Sequence, residues 1–354
     1  MPIVNPRPAV LPELDGLRAV AAYGIVATHV AFQTGTGSAV LERFDYFVAV
    51  FFALSAFLLA RGGMRPGYYS RRVARLVPAY VVCVAVVLLA LPPLAGVSAA
   101  QVVANVLLVQ VYVPHALIDG LTQMWSLCIE VAFYIVLPLY LRLGARGRYV
   151  ALAVAVAVGF VWPWAVSGIG DPAVLNLQIW PPSYALWFAV GLVLAEVERA
   201  GVRYAGPRWP FVLLALPVAW VAGVIGPRGL EHPSPLEFNV RIVLGAVFAA
   251  LLVAPFALGQ RFEGTVLSSK SMRTLGHWSY SVFLWHMAVL YFVFPILGVP
   301  MFSGHFLLVF ATTTLLSTAV SYISYELVEV PGARLIRQAT AKQAARMRKV
   351  DEPA

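Results

Sequence analysis

A few ionisable side chains stand inside otherwise apolar stretches of this chain: Asp15, Arg18 and His29 in the first, Glu130 in a later one, His286 in another, and Glu326 and Glu329 near the end of the last. A charge at the centre of a bilayer costs about 2.5–3.5 kcal/mol on insertion scales, so such residues mark function by default. Arg18 and His29 are eleven positions apart. That is about three turns of helix, which puts both on one face, roughly 16 Å apart along the axis. Histidine is the side chain suited to proton transfer near neutral pH, and arginine suits a phosphate or carboxylate. Together they could line a pore or an active-site tunnel. The plainer alternative is that Arg18 snorkels to the interface beside Asp15 while His29 bonds a neighbouring helix.

A second constellation is Trp125-Ser126-Leu127-Cys128-Ile129-Glu130 continuing to Phe133-Tyr134. Ser126, Glu130 and Tyr134 recur at every fourth residue and share one face, with Trp125 at the interface where its ring is favoured. Glu130 then lies about 9 Å below the outer end and His29 about 6 Å below it, so the carboxylate could orient and charge-stabilise the imidazole. Arg71, Arg72 and Arg75 come ahead of the third apolar segment, before Pro78. They either obey the charge asymmetry of membrane proteins or hold phosphates. Ser55 sits mid-segment in Phe51-Phe52-Ala53-Leu54-Ser55-Ala56-Phe57, and His286 follows Leu284-Trp285.

The elements that position these residues are membrane helices. Hydrophobic residues make up 61% and charged residues 12% of the 354, where a soluble domain carries about a quarter charged. Ten stretches are long enough to span: 14–33, 44–60, 76–94, 123–141, 149–166, 183–199, 210–226, 240–258, 276–297 and 305–328. The stretch 101–113 is too short and reads as re-entrant or interfacial. With the N-terminus inside, nearly all of the 25 Lys and Arg fall in inner segments, from Arg7 through Arg261 to the tail; only Arg43, Arg228 and Arg241 fall outside, and Arg18 within a helix. That asymmetry predicts N-in, C-in and an even number of spans, in the cell membrane. The expected organisation is an all-α polytopic membrane domain over 1–332 and a short basic cytoplasmic tail over 333–354. The net charge of +9 then faces lipid and not nucleic acid. No leading segment reads as a cleavable signal. Cys83 and Cys128 lie in apolar runs without metal-ligand spacing and read as small buried residues, so no metal is expected.

Taken together, these residues resemble the acyltransferase 3 family of integral-membrane O-acyltransferases. The resemblance rests on Leu14-Asp15-Gly16-Leu17-Arg18 with His29 (an R-x10-H pattern), the stretch around Ser55, and Arg72-x-x-Arg75-x-x-Pro78. It continues with Trp125-Ser126-Leu127-x-x-Glu130-x-x-Phe133-Tyr134, Gly276-x-x-Ser279-Tyr280 with Leu284 and His286, and Tyr325-x-x-x-Glu329-x-Pro331. One departure is Ala56, where the family usually has glycine. The resemblance implies transfer of an acyl group, acetyl by default, from acyl-CoA as co-substrate to a hydroxyl of a saccharide, lipid-linked glycan or macrolide-type natural product. It makes His29 the general base with Glu130 as its candidate partner. Arg18 would act on the thioester or the CoA phosphates, and Arg71, Arg72 and Arg75 on the nucleotide end. Trp125, Ser126, Tyr134, Ser55 and His286 would contact substrate. A secondary transporter or flippase for a lipid-linked glycan is the competing reading, since buried ionisable residues serve it equally well. The preference for arginine over lysine points to a GC-rich, bacterial genome.

Overall fold

Apolar runs of this length in lipid must satisfy their own backbone, which leaves helices as the solution. The computed structural model describes residues 11–226, 231–260 and 264–350. Arg7, Arg228 and Arg261, together with residues 351–354 of the tail, lie outside the described residues. The helices are α1 (Pro12–Gln33), α2 (Ala39–Glu42), α3 (Phe47–Gly62), α4 (Tyr68–Ala90), α5 (Ala99–Val106), α6 (Trp125–Arg142), α7 (Ala145–Ala165), α8 (Ala185–Arg199), α9 (Trp209–Ile225), α10 (Pro235–Ala257), α11 (Lys270–Leu297), α12 (Phe306–Ser324) and α13 (Val330–Val350). Among the described residues no strand forms, only an isolated bridge between Tyr204 and Gly259. The protein is an all-α polytopic membrane protein.

Each of the ten apolar segments is a helix. Seven helices among the described residues are long and apolar enough to cross a membrane. The other three segments form α1, which carries Asp15, Arg18 and His29, and α8 and α9, of 15 and 17 residues. The stretch expected to be re-entrant or interfacial becomes α5, eight residues behind a Ser98–Gln101 capping box, and then a 3₁₀ turn at Gln110–Tyr112. At 1.5 Å per residue α5 is about 12 Å long, too short to span.

One boundary differs in a way that matters. The third segment was expected to start at 76, but α4 starts at Tyr68, after Gly67 in the left-handed conformation, and runs through Pro78. Arginine is a good helix former even where it lowers hydropathy. Arg71, Arg72 and Arg75 are therefore on the helix and not ahead of it.

Ion pairs tie the helix ends together. At one end Glu13 of α1 pairs with Arg208 before α9, Arg61 of α3 with Glu198 of α8 at 2.7 Å, and Arg148 of α7 with Glu196 of α8 at 2.7 Å. At the other, Asp45 accepts from Arg241 of α10 and lies 3.8 Å from Arg43. The bundle thus has one arginine-rich rim and an opposite rim where Arg43 and Arg241 share a single aspartate. Cys83 and Cys128 are free and buried.

Without a hydrophobic drive between helices in lipid, close packing depends on small residues. The axis of the site is the α1–α11 pair. A Cβ on Gly276 of α11 would stand 2.0 Å from the Asp15 carbonyl oxygen, and one on Gly16 would stand 2.1 Å from that of Leu267. Ala56 does not hold α3 and α8 apart, because the notch is on the partner. A Cβ on Gly191 of α8 would lie 2.0 Å from the Ala53 carbonyl oxygen and 2.8 Å from the Ala56 Cβ. Phe188 of α8 then stacks between Phe52 of α3 and Phe133 of α6, at centroid distances of 4.3 and 4.2 Å.

Candidate active site

A cavity of about 290 Å³ lies among α1, α3, α4, α6 and α11. Its polar wall is assembled from all five: Arg18 from α1, Ser55 from α3, Arg72 and Arg75 from α4, Ser126, Glu130 and Tyr134 from α6, and Ser279 and Tyr280 from α11. Phe51, Phe52 and Phe283 supply apolar wall. The helical start of α4 explains the arginines. Arg72 and Arg75 are three residues apart and share a face, whereas Arg71 is rotated by one residue from Arg72. Arg71 is turned away and donates to the Arg65 carbonyl at 3.0 Å and to the Pro66 carbonyl.

Within the cavity, the Tyr134 hydroxyl donates to Glu130 Oε1 at 2.6 Å and lies 3.2 Å from Ser55 Oγ. The i, i+4 spacing on α6 makes the first contact and the α3–α6 approach makes the second. The Arg72 guanidinium stands over the Tyr134 ring, 5.7 Å from its centroid. Arg72 Nε and Ser279 Oγ are buried without a hydrogen-bond partner, so two donors are available inside the cavity. Three lining arginines against one lining carboxylate leave an excess of positive charge. Such an excess suits an anion or a developing negative charge.

His29 and His286 meet next to this cavity. His29 Nδ1 and His286 Nε2 are 3.0 Å apart, with ring centroids at 5.0 Å. Phe283, which lines the cavity, lies one turn of α11 from His286, at a centroid distance of 6.2 Å. His29 thus reaches α11, while Arg18, about three turns back on α1, lines the cavity. The expected contact of His29 with Glu130 does not form: among the described residues no hydrogen bond or ion pair joins them. Equal depth said nothing about direction around the helix axis. α1 packs along α11, which offers His286, while Glu130 turns to its own Tyr134.

Trp125 also departs from expectation. It packs on Tyr184 at 4.9 Å, outside the cavity lining, because it is rotated from Ser126 by one residue of helix. Ser126, Ser55 and Tyr134 line the cavity, and His286 lies behind it.

Glu329 had no assigned role. It accepts from Ser281 Oγ at 3.1 Å, next to Tyr280 and Ser279 of the cavity wall. Its burial has a local cause. Thr313, Ser317, Ser321 and Ser324 form the buried face of α12, and an α-helix would continue that face at 327 or 328. A π-turn over Tyr325–Glu329 inserts one residue, so Leu327 faces outward at 71% exposure while Glu329 is 7% exposed. The quoted Tyr325–Glu329 motif was the signal that could have found it.

A polytopic helical bundle with charged residues gathered in one internal cavity defines a class of membrane enzymes or transporters, and sequence comparison narrows it. The acyltransferase-domain family model matches residues 11–326, so the chain belongs to the acyltransferase 3 family. It is 32% identical to the acyltransferase MdmB of Streptomyces mycarofaciens over 83% of this chain and 82% of that protein. It is 26% identical to the putative peptidoglycan O-acetyltransferase YrhL of Bacillus subtilis and 23% identical to the peptidoglycan O-acetyltransferase OatA of Listeria monocytogenes. Those alignments cover 91% and 82% of this chain but only 54% and 51% of the two relatives, so the chain spans about half their length. No solved structure matches the chain.

Proposed function

We propose that the chain is an O-acyltransferase of the cell membrane that moves an acyl group, acetyl by default, from acyl-CoA to a hydroxyl of a saccharide or glycosylated natural product. The observation that carries this reading is the cavity in which Arg18, Arg72 and Arg75 face the Tyr134–Glu130 pair, with the His29–His286 pair next to it. The relatives named as peptidoglycan O-acetyltransferases support a saccharide acceptor. His29 acts as general base on the acceptor hydroxyl. Arg18 and the buried donors of Arg72 and Ser279 stabilise the charge that builds on the thioester oxygen. Arg75 holds a phosphate of the donor. Ser55, Ser126 and Tyr134 position the substrate.

The test is transfer of labelled acetyl from acetyl-CoA by the purified protein in lipid nanodiscs. Peptidoglycan fragments, chitotetraose and a glycosylated macrolide serve as acceptors, and product is read by mass spectrometry. An alkali-labile ester on one of them, absent with His29→Ala, is expected. No acetyl consumption with any acceptor, alongside flux of a lipid-linked glycan into vesicles holding the same protein, would replace the enzyme by a transporter.

A further inference from the structure

We infer that His286 is a positioning residue that decides which nitrogen of His29 is the base. The inference rests on the reading of His29 as general base and adds a direction to it. His286 Nδ1 lies 2.8 Å from the carbonyl oxygen of Phe283 and 3.2 Å from that of Val282. Carbonyl oxygens only accept, so Nδ1 carries a proton. The His286 side chain has no exposed surface, and among the described residues no carboxylate is within hydrogen-bond reach of it. A ring so placed is neutral, because a buried unpaired charge is costly. Its Nε2 is then a lone-pair acceptor.

That nitrogen is 3.0 Å from His29 Nδ1, which must therefore be the donor. Neutral His29 holds its one proton on Nδ1 and keeps its lone pair on Nε2. The two backbone carbonyls on α11 thus act on the tautomer of a ring on α1 through a second imidazole, alongside the Ile25 carbonyl one turn back on α1, which also accepts from the His29 ring. This is the part that an aspartate plays in a serine–histidine–aspartate triad, played here by a neutral group.

In the transfer step the acceptor O–H bond breaks as an H–Nε2 bond forms on His29. The oxygen then bonds to the thioester carbon, the C–S bond breaks, and the thiolate leaves with the proton from Nε2. Between those events His29 is a cation. Its Nδ1–H bond to His286 is what the structure offers to stabilise it.

Two measurements test the assignment. Solid-state ¹⁵N NMR of the full chain in bilayers, histidine-labelled and assigned with His29→Gln and His286→Gln spectra, should show both rings protonated at Nδ1. A proton on Nε2 of either ring overturns the inference whether or not the variants are active. In kinetics with acetyl-CoA and chitotetraose, His286→Leu should lower kcat roughly a hundredfold, the scale of general-base catalysis, with KM for acetyl-CoA unchanged. His286→Gln, whose amide oxygen can accept from His29, should recover most of that loss. Wild-type turnover in His286→Leu with His29→Ala inactive would remove His286 and leave the base in place. Full turnover in both would remove the base as well. If His286→Leu does not fold, the NMR result and the glutamine variant decide.

Discussion

At the scale of single residues, the cavity shows how few atoms separate a structural contact from a chemical one. The Tyr134 hydroxyl touches both Glu130 and Ser55. A hydrogen bond to a charged group contributes about 1.5–3 kcal/mol. Tyr134→Phe removes that oxygen and nothing else. The variant should lose up to about 2 kcal/mol of stability, and transfer should fall by up to roughly a hundredfold, the scale of a misplaced substrate. Unfolding midpoint and acetyl-transfer rate measure the two effects separately. Unchanged transfer in a folded variant would leave Tyr134 a structural residue. Arg18, His29 and Glu130 were legible in the sequence because a charge in an apolar run is conspicuous. Their partners were not, because depth along a helix says nothing about azimuth. Only the packing of α1 on α11 reveals that His29 meets His286 and not Glu130.

At the scale of elements, hydropathy revealed the ten helical segments and concealed their ends. α4 begins eight residues before its apolar run, since arginines form helix well but lower the hydropathy that marks one. The joint between helices matters as much as their ends. The backbone contact between Gly276 and Asp15 holds α1 at the distance at which His29 reaches α11. Gly276→Leu would drive a side chain into backbone that cannot yield. It should cost about 1–3 kcal/mol, as overpacking does, and abolish transfer by separating the histidines. Gly144→Leu, at a glycine whose added Cβ meets nothing within 4 Å, is the matched control and should leave both unchanged. Loss of activity in the control, or full activity in Gly276→Leu, would contradict this role for the α1–α11 contact.

At the scale of the whole molecule, the asymmetry of basic residues predicts an orientation, and the structure supplies a clean way to measure it. The two native cysteines are buried, so the background of a thiol probe is low. Asp119, exposed in the loop before α6, and Lys342, exposed on α13, mark opposite ends. In intact cells, a membrane-impermeant maleimide should label Asp119→Cys and leave Lys342→Cys unlabelled until the cells are opened. The reverse pattern would turn the protein over and place the arginine-rich rim outside.

The π-turn between α12 and α13 has a consequence for comparing chains of different length. It is a single surplus residue held inside a continuous helix. Removing Leu327, whose side chain faces outward, would restore α-helical spacing and still leave the carboxylate that now sits at 329 on the buried face. A one-residue gap in an alignment at this point is therefore no sign of a different site. Chains with and without it can carry the same acidic group against the same face of α11.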